Sequence, residues 1–186
     1  MGAPESIFQL TNQEIFVVTA AHNGQLGGQV ATWVMLATLI PERLRVIIAI
    51  SPFNYTQSLL QQSQRFVLNL LAAGQEDWLV LFGLHSGRDI NKFSEIDFTL
   101  SPTGIPILPQ TCGWAECVIG QSVNLGDRIL YIADVVEHRV YPERTPMREV
   151  AAFATLPEDV RQALASKLEA DIERSRGLIR SLSSFT

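Results

Sequence analysis

The chain is short of cysteine, of clustered basic residues and of long apolar runs, and each shortage removes a class of function. Its 186 residues contain two cysteines, Cys112 and Cys117. Two thiols spaced CxxxxC with no nearby histidine cannot close a zinc shell, so no metal site is expected. Fourteen Lys and Arg stand against 19 Asp and Glu, a net charge of −5. Nucleic acid and anionic membrane surfaces both require clustered basic side chains, so neither is expected as a partner. No apolar run reaches the roughly 18 residues of a membrane span, and Met1 to Gln13 lacks the n-region and h-region of a signal peptide. A cytoplasmic protein with reduced thiols is the expectation. Internal repeats and low-complexity segments are absent. A glycine-rich stretch occurs, but neither GxGxxG nor GxxxxGK[ST] does, and no strong helix follows it, which argues against dinucleotide-fold and P-loop phosphate sites.

What remains is an ordinary globular composition, 47% apolar and 18% charged, enough for one domain with its own core. Three apolar, β-rich runs come first, Ile15 to Ala21, Gln29 to Leu39 and Leu44 to Ile50, with connections short enough to predict an antiparallel meander. A short helix is expected over Tyr55 to Gln64, with Asn54 as its N-cap. A strand follows at Arg65 to Ala72, then a helix at Gln75 to Leu84. Ser101 to Gln110, with three prolines and a glycine, predicts an extended loop. Trp114 to Gly120 and Asp127 to Glu137 complete six β-runs, which read as a small closed or partly closed barrel. Beyond residue 140 the character changes: a loop over Tyr141 to Thr155, then an amphipathic helix from Leu156 to Ser184. Its apolar stripe is Val160, Leu164, Leu168, Ile172, Ile179 and Leu182. We therefore divide the chain into 1–140, the barrel, and 141–186, a C-terminal loop and helix.

Two places carry chemistry. Gly24, Gly27 and Gly28 precede a strand in which Ala31, Thr32, Ala37 and Thr38 alternate with bulky residues. Locally this is a hairpin turn feeding a core strand; it also suits a flat ligand held by backbone and hydroxyls. Asn54 and Thr56 open a helix directly after a strand, where free N–H groups and the helix dipole favour a phosphate, or where a cap stands with no ligand. Arg88 and Lys92 add an isolated basic pair.

Gly28-Gln29-Val30-Ala31-Thr32-Trp33, followed by Ala37-Thr38-Leu39-Ile40-Pro41, resembles the Asn-Gly-Met-Thr-Ala-Ser-Trp and Ser-x-x-Pro elements of the flavin reductase-like, FMN-binding split-barrel family. Gln29 stands for the Met, and Thr32 and Thr38 for the two Ser. Phe66 to Leu71, Lys92-Phe93 and Glu116-Cys117 resemble further family elements in the same order. Gly126-Asp127-Arg128 occupies a Gly-Asp-His element, with Arg128 in place of His. The resemblance covers Ile15 to Glu137 and implies a mainly β fold with peripheral helices, an FMN-binding split β-barrel. It implies FMN as cofactor, with FAD as the alternative, and NAD(P)H as co-substrate. Val30, Ala31, Thr32, Thr38 and Leu39 would line the flavin ring and ribityl chain, and Ser51, Asn54, Thr56 and Lys92 would hold its phosphate end. Hydride transfer to flavin requires no acid, base or nucleophile from the protein, so no catalytic residue is assigned. His22, His85 and His138 read as surface or capping residues.

The resemblance implies an NAD(P)H-dependent flavin reductase working as a homodimer. Two other readings stand beside it: a non-enzymatic FMN electron carrier fed by a redox protein, towards which Arg128 leans, and a split barrel without flavin that serves as a dimeric scaffold.

Overall fold

The computed structural model describes residues 6–179. The fold is mainly β with peripheral helices. A short 3-10 turn over Ile7–Leu10 precedes β1 (Phe16–His22), β2 (Gln25–Ala31), β3 (Val34–Leu36) and β4 (Arg45–Ile50). Helix α1 (Tyr55–Ser63), β5 (Arg65–Leu70) and a one-turn helix α2 (Asp77–Leu79) follow, the last opening into a π turn at Val80–Leu84. Two short strands, β6 (Thr99–Leu100) and β7 (Pro106–Ile107), lead to the long pair β8 (Gly113–Asn124) and β9 (Ile129–Val140), then to α3 (Glu149–Thr155) and α4 (Glu158–Ser175).

Seven strands form one antiparallel sheet in the order β2-β1-β5-β8-β9-β4-β3. Its two outermost strands, β2 and β3, are separated in the chain only by Thr32 and Trp33. Three peptide steps span at most about 10–11 Å. The sheet must therefore curl until its edges nearly meet, and Thr32-Trp33 forms the seam of a split barrel. The Trp33 carbonyl accepts a hydrogen bond from the Ala49 amide at 3.1 Å, joining the chain at once to β4, the strand beside the opposite edge.

The order is not the expected meander, because β3 continues across the seam instead of turning back on β2. Thr32-Trp33 contains none of the residues that reverse a chain. For the same reason the single strand expected over Gln29 to Leu39 is two. The tight turn is Asn23-Gly24, both at positive φ (49° and 78°), a two-residue hairpin turn of the kind that suits twisted strands. Gly27 and Gly28 lie inside β2, not in the turn. A Cβ on Gly28 would sit 2.5 Å from the Phe82 ring, and one on Gly27 would sit 2.9 Å from Leu59.

The alternation of β1 and β2 separates two cores. Val18, Ala20 and Ala31 point into the barrel with Ile48, Phe66 and Tyr131, and α1 plugs it with Leu59 and Leu60. Ile15 and Val17 point outwards into a second cluster with Phe82, Phe93, Met147, Ala152 and Leu156. Residues on both sides of the expected 140/141 boundary thus share one buried cluster. Part of the expected loop over Tyr141 to Thr155 is α3. Its first amides are satisfied from far away, Glu149 N by the Gln13 carbonyl (3.0 Å) and Val150 N by the Asn12 side chain (3.1 Å). The loop expected at Ser101 to Gln110 includes β7, paired with β6. The helix expected over Gln75 to Leu84 is mostly the π turn. Helix α4 ends at Ser175, short of Ser184, and Leu182 lies outside the described residues. Val160 and Leu164 pack on the second cluster, whereas Leu168, Ile172 and Ile179 are exposed.

Candidate functional site

The strand β2 presents residues to both cores, because side chains directly opposite in an antiparallel pair share a face. Gln29 lies opposite Val18 and faces the barrel interior; Val30 lies opposite Val17 and faces outwards. The residues expected along the flavin ring are therefore divided: Ala31 inwards, Val30 and Thr32 outwards. Val30 and Thr32 line a cavity of about 190 Å³ with Ile15, Leu79, Gly83 and Leu164. Thr38 and Leu39 lie in the turn after β3, where Thr38 Oγ1 accepts from the Ile40 amide (3.1 Å) and Leu39 is 97% exposed.

Ser51, Asn54 and Thr56 come together where β4 passes into α1. Ser51 Oγ accepts from the Phe53 amide at 3.4 Å. Asn54 occupies the N-cap position with extended backbone, but its side chain makes no capping hydrogen bond; the expected side-chain cap is absent. Thr56 is buried against Gly27, which ties the start of α1 to β2. Two guanidinium groups flank this junction. Arg88 donates to the Phe53 carbonyl at 2.8 Å and lies 5.8 Å from the Tyr55 ring centre, and Arg174 stacks on the Phe53 ring at 3.4 Å.

Lys92 is elsewhere in character. It is 5% exposed, and its ammonium donates to the carbonyls of Gly28 (3.0 Å) and Phe82 (3.3 Å). Burial, helped by the nearby Lys167 charge, lowers its pKa to about 8. Its chemistry is that of a strut between β2 and the π turn.

At the seam, the Arg128 guanidinium lies 5.2 Å from the centre of the half-exposed Trp33 ring. The sequence singles out Arg128 but not its partner. Nor does it give warning of Arg174, whose helix is distant in the chain, or of the burial of Gln29. Gln29 is 8% exposed, and among the described residues its Oε1 has no hydrogen-bond partner. An orphaned acceptor of this kind is costly in an apolar core. Burial pushes the Cys117 thiol far above its ordinary range, which makes it a poor nucleophile. Among the described residues no group of three or more His, Cys, Asp or Glu could hold a metal ion, and no helix is long and apolar enough to cross a membrane.

These features gather hydrogen-bond donors at one helix start. The uncommitted Asn54 side chain, the Ser51 hydroxyl and two guanidiniums supply donors suited to a phosphate. The seam and the adjoining cavity lie along the same strand, β2.

A family model described as "Flavin reductase like domain" matches residues 8–152. A curated relative, the high molecular weight rubredoxin of Moorella thermoacetica, is 32% identical over 135 residues, which are 72% of this chain and 58% of that protein. The chain thus spans little more than half of that relative. Among solved structures, the NADH:FAD oxidoreductase of Streptomyces globisporus superposes with TM-score 0.68 at 22% identity, over 80% of this chain and 90% of the other. An FMN-binding protein from Thermus thermophilus, with bound 1-cyclohex-2-enone, gives TM-score 0.67 at 25% identity, over 75% of this chain and 77% of the other.

Proposed function

Because the chain belongs to the flavin reductase-like domain family, we propose that it is a flavin-dependent oxidoreductase that binds FMN and accepts hydride from NAD(P)H. The observation that carries this reading is the seam. Two residues join opposite edges of one sheet there, leaving Thr32 and Trp33 outside the ladder, Thr32 against a cavity, with a phosphate-suited junction where α1 starts against β2. Bound flavin would supply the redox chemistry. The chain's own part is to hold and orient it. Val30 and Thr32 would line the ring side with Thr38 and Leu39, Ala31 offering only its backbone because its side chain packs in the barrel core, while Ser51, Asn54 and Thr56 would receive the phosphate. FMN is favoured over FAD because the junction offers donors for one compact anion.

The test is spectroscopic. Purified protein titrated with FMN should show a perturbed visible flavin spectrum, and stopped-flow mixing with NADH or NADPH should bleach it. A protein that leaves the flavin spectrum unchanged would refute the reading. Binding without bleaching by either nucleotide would favour the electron-carrier alternative, for which the permanently charged Arg128 at the seam is the supporting observation.

The working unit we propose is a homodimer. Trp33, Met35, Leu36, Leu39 and Ile40 are all more than half exposed along β3 and the turn after it. β3 is also a sheet edge, which proteins normally cover. Five large apolar side chains, covered at about 25 cal/mol per Å², would contribute several kcal/mol. Light scattering that shows a monomer at micromolar concentration with flavin bound would overturn this. The two buried, free thiols accord with a cytoplasmic location.

A further inference from the structure

Helix α4 lies outside the matched residues 8–152, and none of its side chains is fully buried. Besides Val160, which packs on the second cluster, it touches the body at three points. Leu164 lines the cavity with Val30 and Thr32. Lys167 Nζ donates to the carbonyls of Gly83 (2.6 Å) and Leu84 (3.5 Å). Arg174 stacks on Phe53. At 100° per residue these three positions fall within about 80° of one another, so one face of α4 makes all three contacts. Leu164 and Arg174 are about 15 Å apart along the helix axis. That face runs from the cavity beside β2 to the junction of β4 and α1.

We propose that α4 is the outer wall of the flavin site and that Arg174, with Arg88, binds the flavin phosphate. This rests on the flavin-binding reading above. Three observations carry it. First, Arg174 and Arg88 converge on the same residue, Phe53, one through its ring and the other through its carbonyl. Second, among the described residues neither guanidinium lies within ion-pair distance of a carboxylate, although seven other arginines do. Two arginines on one residue without counter-charge, in a protein of net charge −5, keep donors for an anion: Arg88 commits Nη1 to the Phe53 carbonyl, and Arg174 meets Phe53 through the ring face alone. Third, Lys92 cannot supply the charge without breaking its two carbonyl bonds and leaving its buried position. Stacking on Phe53 fixes the plane of the Arg174 guanidinium, and a planar fork is the geometry that takes a phosphate through two parallel hydrogen bonds.

The experiment compares FMN with riboflavin, which lacks the phosphate, by equilibrium fluorescence titration of the full chain. Arg176, two residues further on and paired with Glu173, is the control for loss of one positive charge at the same helix end. Arg174→Ala should weaken FMN about tenfold and riboflavin less than about twofold, and Arg176→Ala should leave both within about twofold. Equal loss of both ligands on Arg174→Ala, or no loss of either, would overturn the role of Arg174. Equal effects of Arg174→Ala and Arg176→Ala would reduce it to non-specific charge and overturn it too. If the unaltered protein binds neither FMN nor riboflavin, the flavin reading fails as well; if it binds both, only the assignment of Arg174 is at stake.

Discussion

Arg128 covers one face of Trp33, its guanidinium carbon 5.2 Å from the ring centre. Its own chain also holds it, by a hydrogen bond to the Asp127 carbonyl (2.7 Å) and an ion pair with the Asp127 carboxylate (3.8 Å). Trp33 belongs to the seam, so the pair stands at the rim of the proposed flavin site. In that reading a fixed guanidinium there would meet whatever delivers electrons, an anionic nucleotide or an acidic partner.

Arg128→His should therefore change the rate of flavin reduction by NADH or NADPH and leave the FMN dissociation constant within about twofold. A cation stacked on a half-exposed ring contributes about 0.5–1 kcal/mol, or roughly two- to fivefold in rate. Stopped-flow reduction and FMN titration of the same variant decide it. Unchanged rates together with weakened FMN binding would show that Arg128 serves flavin, not its donor.

Gly28→Ala addresses the packing that sets the site. The added methyl group would lie 2.5 Å from Phe82 and 3.3 Å from Phe93. Those rings are held in a chain of aromatic contacts running from Trp78 to Phe98, so they cannot simply rotate away. Overpacking of this kind costs about 1–3 kcal/mol. The denaturant midpoint should fall accordingly. The neighbouring Gly24→Ala meets no atom within 4 Å but has φ of +78°, so its smaller loss would come from backbone strain alone.

How much of this is legible in the sequence depends on how far each cause acts along the chain. The β-runs, α1 and the family elements are local patterns, and the structure has them. The β3 seam is not legible, because apolar residues continue without a break from β2 into β3 and nothing local says that Thr32-Trp33 crosses between edges. Helix α3 escapes a sequence reading for a similar reason: its first amides are capped by Asn12 and Gln13. Of the expected site residues, Ser51, Asn54 and Thr56 share one junction, and Val30 and Thr32 share one cavity. In the sequence Lys92 reads as one of an isolated basic pair with Arg88, and the resemblance gives it the flavin phosphate. Only the fold reveals that the Gly28 and Phe82 carbonyls converge on it, whereas Arg174 arrives from a helix more than 100 residues after Phe53.

Gln29→Met tests the orphaned amide. Gln29 faces the barrel core, 8% exposed, with Oε1 unpaired. Methionine keeps the length and approximate volume and removes the unsatisfied acceptor. The apo-protein should gain about 1–3 kcal/mol, the penalty ascribed to a buried unpaired polar group. Chemical denaturation of the flavin-free protein measures it. A loss of stability would mean that the amide is already satisfied in solution, by an enclosed water.

The last prediction concerns Lys92 and pH. Its pKa is lowered to about 8 from an ordinary value near 10.4 in an unfolded chain. Between these limits the unfolded state binds more protons than the folded state, so stability rises with pH. The contribution is fully present above the unfolded pKa and is lost as pH falls through the folded one; below about pH 8 both states carry the proton and the burial penalty is complete. Other groups titrate in the same range in the opposite sense. Burial raises both Cys117 and Tyr131, which favours the fold at low pH and removes that support as pH rises. A single stability curve would mix these effects, so the measurement is a difference. Lys92→Met keeps much of the stem beside Phe82 and deletes the charge. From pH 7.5 to 10 the unaltered protein should gain on Lys92→Met by about 2 kcal/mol, the part of the shift that this window spans at about 1.4 kcal/mol per tenfold loss of proton affinity on folding. Urea midpoints at four or five pH values suffice. Parallel curves would mean that Lys92 keeps an ordinary pKa, its charge fully compensated by the two carbonyls it holds together.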